Sequence, residues 1–541
     1  MTKRTLLATV AVALIANGAL FLPLPHLATA LAALIVTGFL PGALLVHAVV
    51  GQGPSRPDWM ERVLYSGAAG FALMVLGMLL IAYQPGAPTK GTVLLLFNAI
   101  TGVLLGWVLW RGRRVDMAGP SAWRFDAGPR WIMAGALTLL IVGSVVRFGN
   151  LGYADFQGDE ARAALRSAAI LQGYEDVLML HKKGPTEILL PTLLYTLTGH
   201  LTEATARLPF AIANLLGLFA VWILGWRLFN PMAGWIAALF FALDGYFIGF
   251  SRIVQYQSVV FLMSILVVLL LYRTIRQPRA LVGYLTLAAL FLATGLLSHY
   301  EGALVALPAV FLWGVLAWRN RNDLKRVLGA TAVAVVVGGI AVGSFYLPFV
   351  LHPRFSATLY YLTDRRIGGS PPYNNLVDVF VRTTLYSTTY QVLLAIGLLI
   401  VGMVRIYWRG LRRPLAWAAI VALLVVTVMT FLNPQWLTFG ERDWIFAPWF
   451  LLLLLVILMP KLAVEERVLW LWFGAVMMLA LFFTEKPRTH VYTFFIPWFM
   501  IAGQVLALGW QWLRGRIGFR YAAVIGVAGA AIALLAFGNY A

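Results

Sequence analysis

Long apolar runs recur along the whole chain, and they limit its fold more than any other feature. Each run is close to the roughly 20 residues that an α-helix needs to cross a bilayer. Of the 541 residues, 61% are hydrophobic and only 11% are charged. Backbone amides in lipid must be satisfied within each span, and no segment shows the alternation of a membrane β-barrel strand. About seventeen such runs predict an all-α polytopic membrane protein.

The charged residues between the apolar runs predict the orientation of the chain. Basic residues gather in alternate connections, among them 111–114, 273–279 and 405–413, whereas acidic residues concentrate in the others. Because cytoplasmic connections are enriched in Lys and Arg, the N-terminus is expected in the cytoplasm. The long connections 150–206 and 351–386 then face outward. We therefore expect a multi-pass protein of the plasma membrane with an extracytoplasmic active site.

Net charge and cysteine content narrow the classes of function. A net charge of +20 would suit a nucleic-acid-binding protein, but the basic residues lie at the ends of apolar runs and not on one face. We therefore expect no nucleic-acid partner. The absence of cysteine excludes disulfides, thiolate metal sites and cysteine nucleophiles. Nucleotide-activated donors are not available outside the cytoplasm, so synthesis there needs a donor already carried across the membrane, typically on a lipid.

Three regions are predicted along the chain. Residues 1–130 form a bundle of about four spans that ends in a cytoplasmic linker, 111–130. Residues 131–510 form the main membrane domain, and 511–541 form a C-terminal span. Residues 1–30 resemble a signal peptide, but an uncleaved first span is favoured because another apolar run follows at once.

An acidic pair, Asp159 and Glu160, opens the polar part of the first outer connection. Unpaired carboxylates at a membrane boundary are costly, so the pair indicates catalysis or binding. Asp159 is predicted to cap a helix running toward Gly173, with Arg162 and Arg166 on a similar side. Such a carboxylate beside guanidinium groups could accept a proton from a hydroxyl while the cations hold a phosphate leaving group. The alternative is an interfacial helix whose acids and arginines pair in solvent.

Other polar residues at the outer ends of apolar runs form a candidate substrate shell. They are His181, Arg252, His299, Glu301, Lys486, Arg488 and His490. Lys183, which follows His181 in the first outer connection, suits either lipid headgroups in general or one phosphorylated lipid. For Arg252 the simpler interpretation is a polar interfacial belt, and for His299 with Glu301 it is a satisfied structural pair.

The order of these elements resembles the GT-C glycosyltransferases, in particular glycosyltransferase family 39. This group uses dolichyl- or polyprenyl-phosphate sugars and includes protein O-mannosyltransferases and lipid A aminoarabinose transferases. The resemblance covers roughly 131–510. It rests on Asp159-Glu160-x-Arg162, Lys183-x-Pro185, Ala206-Arg207-Leu208-Pro209 and Ser251-Arg252. It implies a GT-C-like multi-span bundle whose extracytoplasmic loops carry short interfacial helices.

The resemblance also implies a reaction. A sugar would move from a polyprenyl-phosphate donor to a hydroxyl of a protein, lipid or glycan acceptor, with inversion at the anomeric carbon. Asp159 would be the general base, and Glu160 would orient the acceptor or help to bind a divalent cation. Arg162, Lys183 and Arg166 would bind the donor phosphate.

Two departures from the family pattern leave the donor sugar and any metal requirement open. Gln255 and Gln257 stand where members often carry an acidic residue, and His299 begins a stretch where they often have a Lys. A transporter or flippase for lipid-linked sugars, or a scaffold for cell-envelope assembly, is the alternative function. The middles of most apolar runs are bare of charge, which favours chemistry at the interface over transport through the bundle.

Overall fold

The apolar runs fold into helices throughout the computed structural model, which describes residues 3–51, 56–112 and 130–540. The predicted linker falls largely on 113–129, which lie outside the described residues. The first helices are α1 Lys3–Ala19, α2 His26–Leu34, α3 Leu40–Val50, α4 Trp59–Ala82, α5 Lys90–Gly112, α6 Arg130–Phe148, α7 Gly158–Leu171, α8 Thr186–Thr198, α9 Glu203–Leu228, α10 Pro231–Leu243 and α11 Gly245–Ser251.

The remaining helices are α12 Gln257–Arg276, α13 Leu281–Ser298, α14 Ala306–Arg319, α15 Leu324–Leu351, α16 Phe355–Leu362, α17 Leu376–Tyr386, α18 Thr389–Gly410, α19 Arg413–Leu432, α20 Phe446–Ile457, α21 Val464–Phe482 and α22 Phe495–Tyr540. Short 3-10 or π segments are Ile35–Phe39, Asp176–Leu180, Pro278–Ala280, Tyr300–Val305, Arg321–Asp323, Thr363–Ile367 and Arg488–Phe494. Two short antiparallel strands, β1 Thr438–Phe439 and β2 Arg442–Asp443, pair with Thr438 opposite Asp443.

Eleven helices within the described ranges are long and apolar enough to cross a membrane, or up to twelve if α10 and α11, bent by 65°, form one broken span. The prediction of an all-α polytopic membrane protein is confirmed. The number is below the seventeen or so apolar runs for identifiable reasons. Three runs form shorter helices, and the last two runs both fall within α22, where a kink at Gly518 (φ +79°) separates two helical stretches. A further run forms α21, which is not counted among the spans because its first turn carries three charged residues, Glu465, Glu466 and Arg467.

The chain divides into two compact units. Unit 1 contains the described residues of Met1–Arg130, Gly143–Ala220 and Phe250–Phe355. Unit 2 contains those of Trp131–Val142, Val221–Gly249 and Ser356–Ala541.

The centre of unit 1 is α12, in which 94% of the most apolar stretch is buried. It packs against α13, which in turn packs against α4 and α15. Helices α3 and α4 approach closely because glycines face each other. A Cβ at Gly42 would lie 2.2 Å from the Ser66 carbonyl oxygen, so only a residue without a side chain fits there. The buried Glu61 carboxylate of α4 pairs with the Arg273 guanidinium of α12.

The core of unit 2 forms where α10 packs against α22. A Cβ at Gly503 would lie 2.6 Å from the Ala233 carbonyl oxygen, so glycine again permits the close approach. Aromatic rings fill the neighbouring space, with Phe240 stacked on Phe499 at 5.5 Å between ring centroids. Close helix approach at glycine and stacked aromatic rings therefore form the core of this unit.

Candidate active site

The backbone around Gly158 sets the position of the acidic pair. Gly158 has a φ of +55°, which glycine adopts readily, and α7 begins at this residue. The prediction that Asp159 caps the helix is wrong, because the cap position is two residues earlier, at Gln157. Asp159 lies instead in the first turn of α7. The helix ends at Leu171, close to Gly173, whose φ is +84°.

Asp159 contacts two cations while its side chain remains 46% exposed. Lys183 Nζ donates to Oδ2 at 3.1 Å, and Arg162 Nη1 donates to Oδ1 at 3.3 Å. Partial burial raises the pKa of Asp159. The charge and hydrogen bond of Lys183, followed by the charge of Arg162, outweigh burial and hold that pKa below its ordinary value. The carboxylate is therefore ionised at neutral pH and open to solvent.

Lys183 lies between two carboxylates and an aromatic face. Its Nζ is 3.6 Å from Glu187 Oε1 and 5.1 Å from the centroid of the Tyr256 ring, and the side chain is only 18% exposed. The loop before α8 is fixed by its packing against α13. A Cβ at Gly184 would lie 2.0 Å from the Leu297 carbonyl oxygen, so the chain can pass there only as glycine. The ammonium group is thus held in place by its surroundings.

Glu187 is a site residue that the sequence reasoning missed. It is fully buried in the first turn of α8, and His181 Nε2 lies 2.7 Å from its Oε1. Burial raises the pKa of Glu187, but the charge of Lys183, followed by the interaction with His181, outweighs it, so that the net pKa is lowered. An isolated acid at the start of the apolar run 188–194 was the available signal, because such residues are rarely buried without a partner.

His181 connects Glu187 to α7. Arg166 Nη1 hydrogen-bonds His181 Nδ1, and Arg166 Nη2 donates to the Leu180 carbonyl oxygen at 3.3 Å. Burial lowers the pKa of His181, which favours the neutral ring. A proton on Nε2 then faces Glu187, and Nδ1 accepts from Arg166. Both terminal nitrogens of the Arg166 guanidinium group are hydrogen-bonded to the loop, so Arg166 holds the loop in this conformation.

Glu160 has an environment opposite to that of Asp159. Arg207 forms a two-pronged ion pair with it, Nε to Oε1 and Nη2 to Oε2, both at 2.8 Å. The backbone N–H of Val254 also donates to Oε1 at 2.8 Å, and Glu160 is only 4% exposed. Both oxygens are thus occupied, which favours a positioning role over cation binding. Within the described parts of the chain, no cluster of three or more His, Asp or Glu residues is placed to hold a metal ion.

Three further predicted residues of unit 1 hold segments that lie next to this site. Arg252 donates to the Val146 carbonyl oxygen at 3.0 Å and to that of Asn150 at 3.3 Å, fixing the start of the connection 150–206. The buried ring of His299 stacks on Tyr256, 3.8 Å between centroids and nearly parallel. His299 Nδ1 is 3.5 Å from a Glu301 carboxylate oxygen.

The other predicted residues belong to unit 2. Lys486 and Arg488 line a cavity of about 280 Å³ within that unit. His490 lies in the short 3-10 segment that follows, partly exposed.

Part of the chain that forms this site matches a known protein family. Residues 182–344 match the model of the dolichyl-phosphate-mannose-protein mannosyltransferases. The predicted resemblance to this family is confirmed for this segment of the chain. The matched segment begins at Lys182, beside Lys183, and ends within α15. A comparison with curated proteins finds no match.

Solved structures with a similar course of the chain include ArnT and an archaeal oligosaccharyltransferase. ArnT from Cupriavidus metallidurans, bound to undecaprenyl phosphate, shares 17% identity over 70% of this chain and 60% of its own, with a TM-score of 0.44. The Archaeoglobus fulgidus oligosaccharyltransferase, tethered to an acceptor peptide, shares 14% identity over 76% and 54%, with a TM-score of 0.45. A complex of the latter with zinc and sulfate shares 15% identity over 73% and 51%, with a TM-score of 0.41. The chain thus spans about 60% of ArnT and about half of the archaeal enzyme.

Proposed function

We propose that this protein is a membrane glycosyltransferase of the extracytoplasmic face that moves a sugar from a polyprenyl-phosphate donor to an acceptor hydroxyl. The observation that carries the proposal is a half-exposed carboxylate, Asp159, in direct contact with Lys183 and Arg162. A base and a phosphate-binding pair are the groups that this transfer requires. The family match of the segment that contains Lys183 supports the same conclusion.

In the proposed reaction, the acceptor oxygen attacks the anomeric carbon as the bond from that carbon to the phosphate oxygen breaks. The hydroxyl proton passes to Asp159, and the bonding electrons leave with the polyprenyl phosphate. Lys183 and Arg162 stabilise the charge that develops on the departing phosphate. One displacement without a covalent intermediate inverts the anomeric configuration.

The contacts of Lys183 suggest how donor binding prepares the base. In the structure, Lys183 and Arg162 hold the pKa of Asp159 low, which makes it a weak base. A donor phosphate would share both cations and weaken their hold on Asp159. Its pKa would then rise toward the ordinary value or above, and proton transfer from the acceptor would become easier. Glu187 keeps a negative charge 3.6 Å from Lys183 throughout and so holds the ammonium in place.

Glu160 and Arg166 act as positioning residues in this proposal. Glu160 fixes the first turn of α7 to Arg207 of α9, while Arg166 fixes the far side of the same helix through His181. No step is assigned to a metal ion, because the Glu160 oxygens are already engaged.

A flippase for lipid-linked sugars is the second candidate. The observation that favours it is the 65° break between α10 and α11, because broken helices often mark transport sites. Asp244 lies buried at this break and its Oδ1 accepts from the Tyr246 N–H at 3.0 Å.

One substitution separates the two functions. Asp159→Asn should lower sugar transfer from a polyprenyl-phosphate donor by roughly 10²–10⁴-fold, the usual contribution of a general base. Retention of undecaprenyl phosphate should be unchanged. Asp155→Asn, which neutralises an exposed acid of the same connection, is the matched control. Full transfer by the Asp159 variant would refute the assignment of the base, and movement of intact donor across vesicles without transfer would favour the flippase.

A further inference from the structure

The cavity in unit 2 has the composition of a ligand site that the proposed chemistry does not use. Its walls are Tyr361, Asp364, Arg366, Glu485, Lys486 and Arg488. A volume of about 280 Å³ is near the lower end of the range of small-molecule sites. Three cations and two carboxylates in so small a space can satisfy an anionic group and several hydroxyl groups at once.

The backbone on the two sides of the cavity is joined by hydrogen bonds, so the walls are formed before any ligand arrives. The N–H of Glu485 donates to the Arg366 carbonyl oxygen at 3.0 Å, and that of Tyr373 donates to the Phe482 carbonyl oxygen at 2.8 Å. The Asn375 amide donates to the Thr484 carbonyl oxygen at 2.9 Å. Preformed walls of this kind reduce the ordering that binding requires.

The loop geometry places the charged groups toward the cavity at a cost in backbone energy. Arg488 has a φ of +47°, a conformation that residues other than glycine rarely adopt. Gly368 has a φ of +76°, and a Cβ there would lie 2.8 Å from Glu485 Oε2. Strain of this kind persists where the surroundings impose it, and it is common at ligand sites. The strained Arg488 and the unstrained Gly368 both lie beside this cavity.

The side chains indicate the chemistry of the ligand. The Arg366 guanidinium lies over the Tyr361 ring, 5.2 Å from its centroid, which holds it at one wall. Lys486 Nζ is 3.1 Å from Glu485 Oε1, and its side chain is 69% exposed and can turn to a ligand. The cations exceed the carboxylates by one. Asp364 and Glu485 suit sugar hydroxyl groups, whereas the arginines suit a phosphate or a carboxylate.

We propose that this cavity binds a monosaccharide unit that carries one anionic group, a phosphate or a carboxylate. The proposal goes beyond the glycosyl transfer at Asp159, since it concerns a binding site within unit 2 and requires no reaction. The ligand could be a free sugar phosphate or the terminal acidic sugar of a larger glycan.

Calorimetric titration of the purified full-length protein in detergent tests the proposal with four probes: glucose 6-phosphate, glucuronic acid, glucose and inorganic phosphate. Both acidic sugars should bind more tightly than glucose and than phosphate. Arg488→Gln should weaken binding of the acidic sugars by roughly tenfold or more, the usual effect of losing a charge-assisted hydrogen bond. Asp364→Asn should weaken binding of acidic sugars and of glucose alike.

The control is Lys461→Gln, which removes one positive charge at an exposed position outside the cavity lining. It should bind all four probes as the unsubstituted protein does. Phosphate binding as tight as that of glucose 6-phosphate would overturn the proposal in favour of a plain anion site. Equal effects of Arg488→Gln and Lys461→Gln would also overturn it. The Asp159→Asn variant should bind the acidic sugars normally, so failure of the proposed transfer would leave this result intact. A lipid-bound glycan with a terminal uronic acid serves as a competitor. Displacement of glucose 6-phosphate by this glycan would identify the end of a glycan as the ligand, and no displacement would identify the free sugar.

Discussion

The connection 150–206 and the cavity loops of unit 2 use charge in different ways. Next to Asp159, the supporting carboxylates of Glu160 and Glu187 are buried with their partners. Around the unit 2 cavity, backbone hydrogen bonds fix the walls, while side chains such as Lys486 stay exposed. A reaction needs charges at constant distances, whereas binding needs groups that can turn to a ligand. Two loops with similar compositions are therefore expected to respond differently to substitution.

The largest effect should follow from breaking the buried pair of the first region. Glu160→Gln leaves the Arg207 guanidinium buried without its counter-charge, which destabilises a protein by about 3–5 kcal/mol. Thermal unfolding in detergent should show a marked decrease in Tm. Glu175→Gln, at an exposed position of the same unit, should leave Tm unchanged. A Glu160 variant as stable as this control would mean that the pair does not hold α7.

Removal of the ammonium group should affect catalysis more than folding. Lys183→Met keeps the length of the side chain but leaves the departing phosphate with one cation fewer. Transfer should decrease by roughly 10²–10³-fold, as when one preorganised donor to a developing charge is lost. The measurement is kcat/KM with a polyprenyl-phosphate sugar. Lys182→Met is the neighbouring control, and an equal loss in both variants would point to general attraction of the lipid headgroup.

The pH dependence of transfer should report the pKa of Asp159. Because the ionised carboxylate is the active form and its pKa is lowered, kcat/KM should remain high below the pH at which an ordinary aspartate is protonated. Arg162→Gln removes one of the lowering charges, so the acidic limb should move to higher pH. An acidic limb that stays in place in this variant would show that another group controls it.

The smallest effect is expected at the aromatic face beneath Lys183. Tyr256→Leu removes the cation–π contact at 5.1 Å, which corresponds to roughly two- to fivefold in donor affinity. Tyr256→Phe keeps the ring and should behave as the unsubstituted protein. A change in kcat without a change in KM would contradict a role in holding the phosphate-binding lysine.

Much of the fold was predictable because its signals are local. Apolar runs of span length gave the helical membrane class, and Gly173 marked the end of α7 correctly. The number of spans was less predictable, since the criterion of length separates true spans from short apolar helices only once the helix ends are known. Charges near a helix end, as in α21, produce the same ambiguity.

The site was predictable only in its residue types. The contact of Asp159 with Lys183 joins residues 24 positions apart, and that of Glu160 with Arg207 joins residues 47 apart. No local pattern specifies which neighbouring acid is buried and which is exposed. Glu160 is buried because its partners Arg207 and Val254, both distant in sequence, enclose it. Glu187 was overlooked because it stands alone in an apolar stretch.

The bond from the Val254 N–H to Glu160 has a consequence for how such a protein could diversify. Val254 lies two residues before Tyr256, so one carboxylate fastens both the backbone that carries the base and the segment whose ring supports the lysine. The distance between the Asp159 carboxylate and the Lys183 ammonium group is thereby fixed. Substitutions in more distant loops could therefore change which acceptor is used, over evolutionary time, without changing this distance.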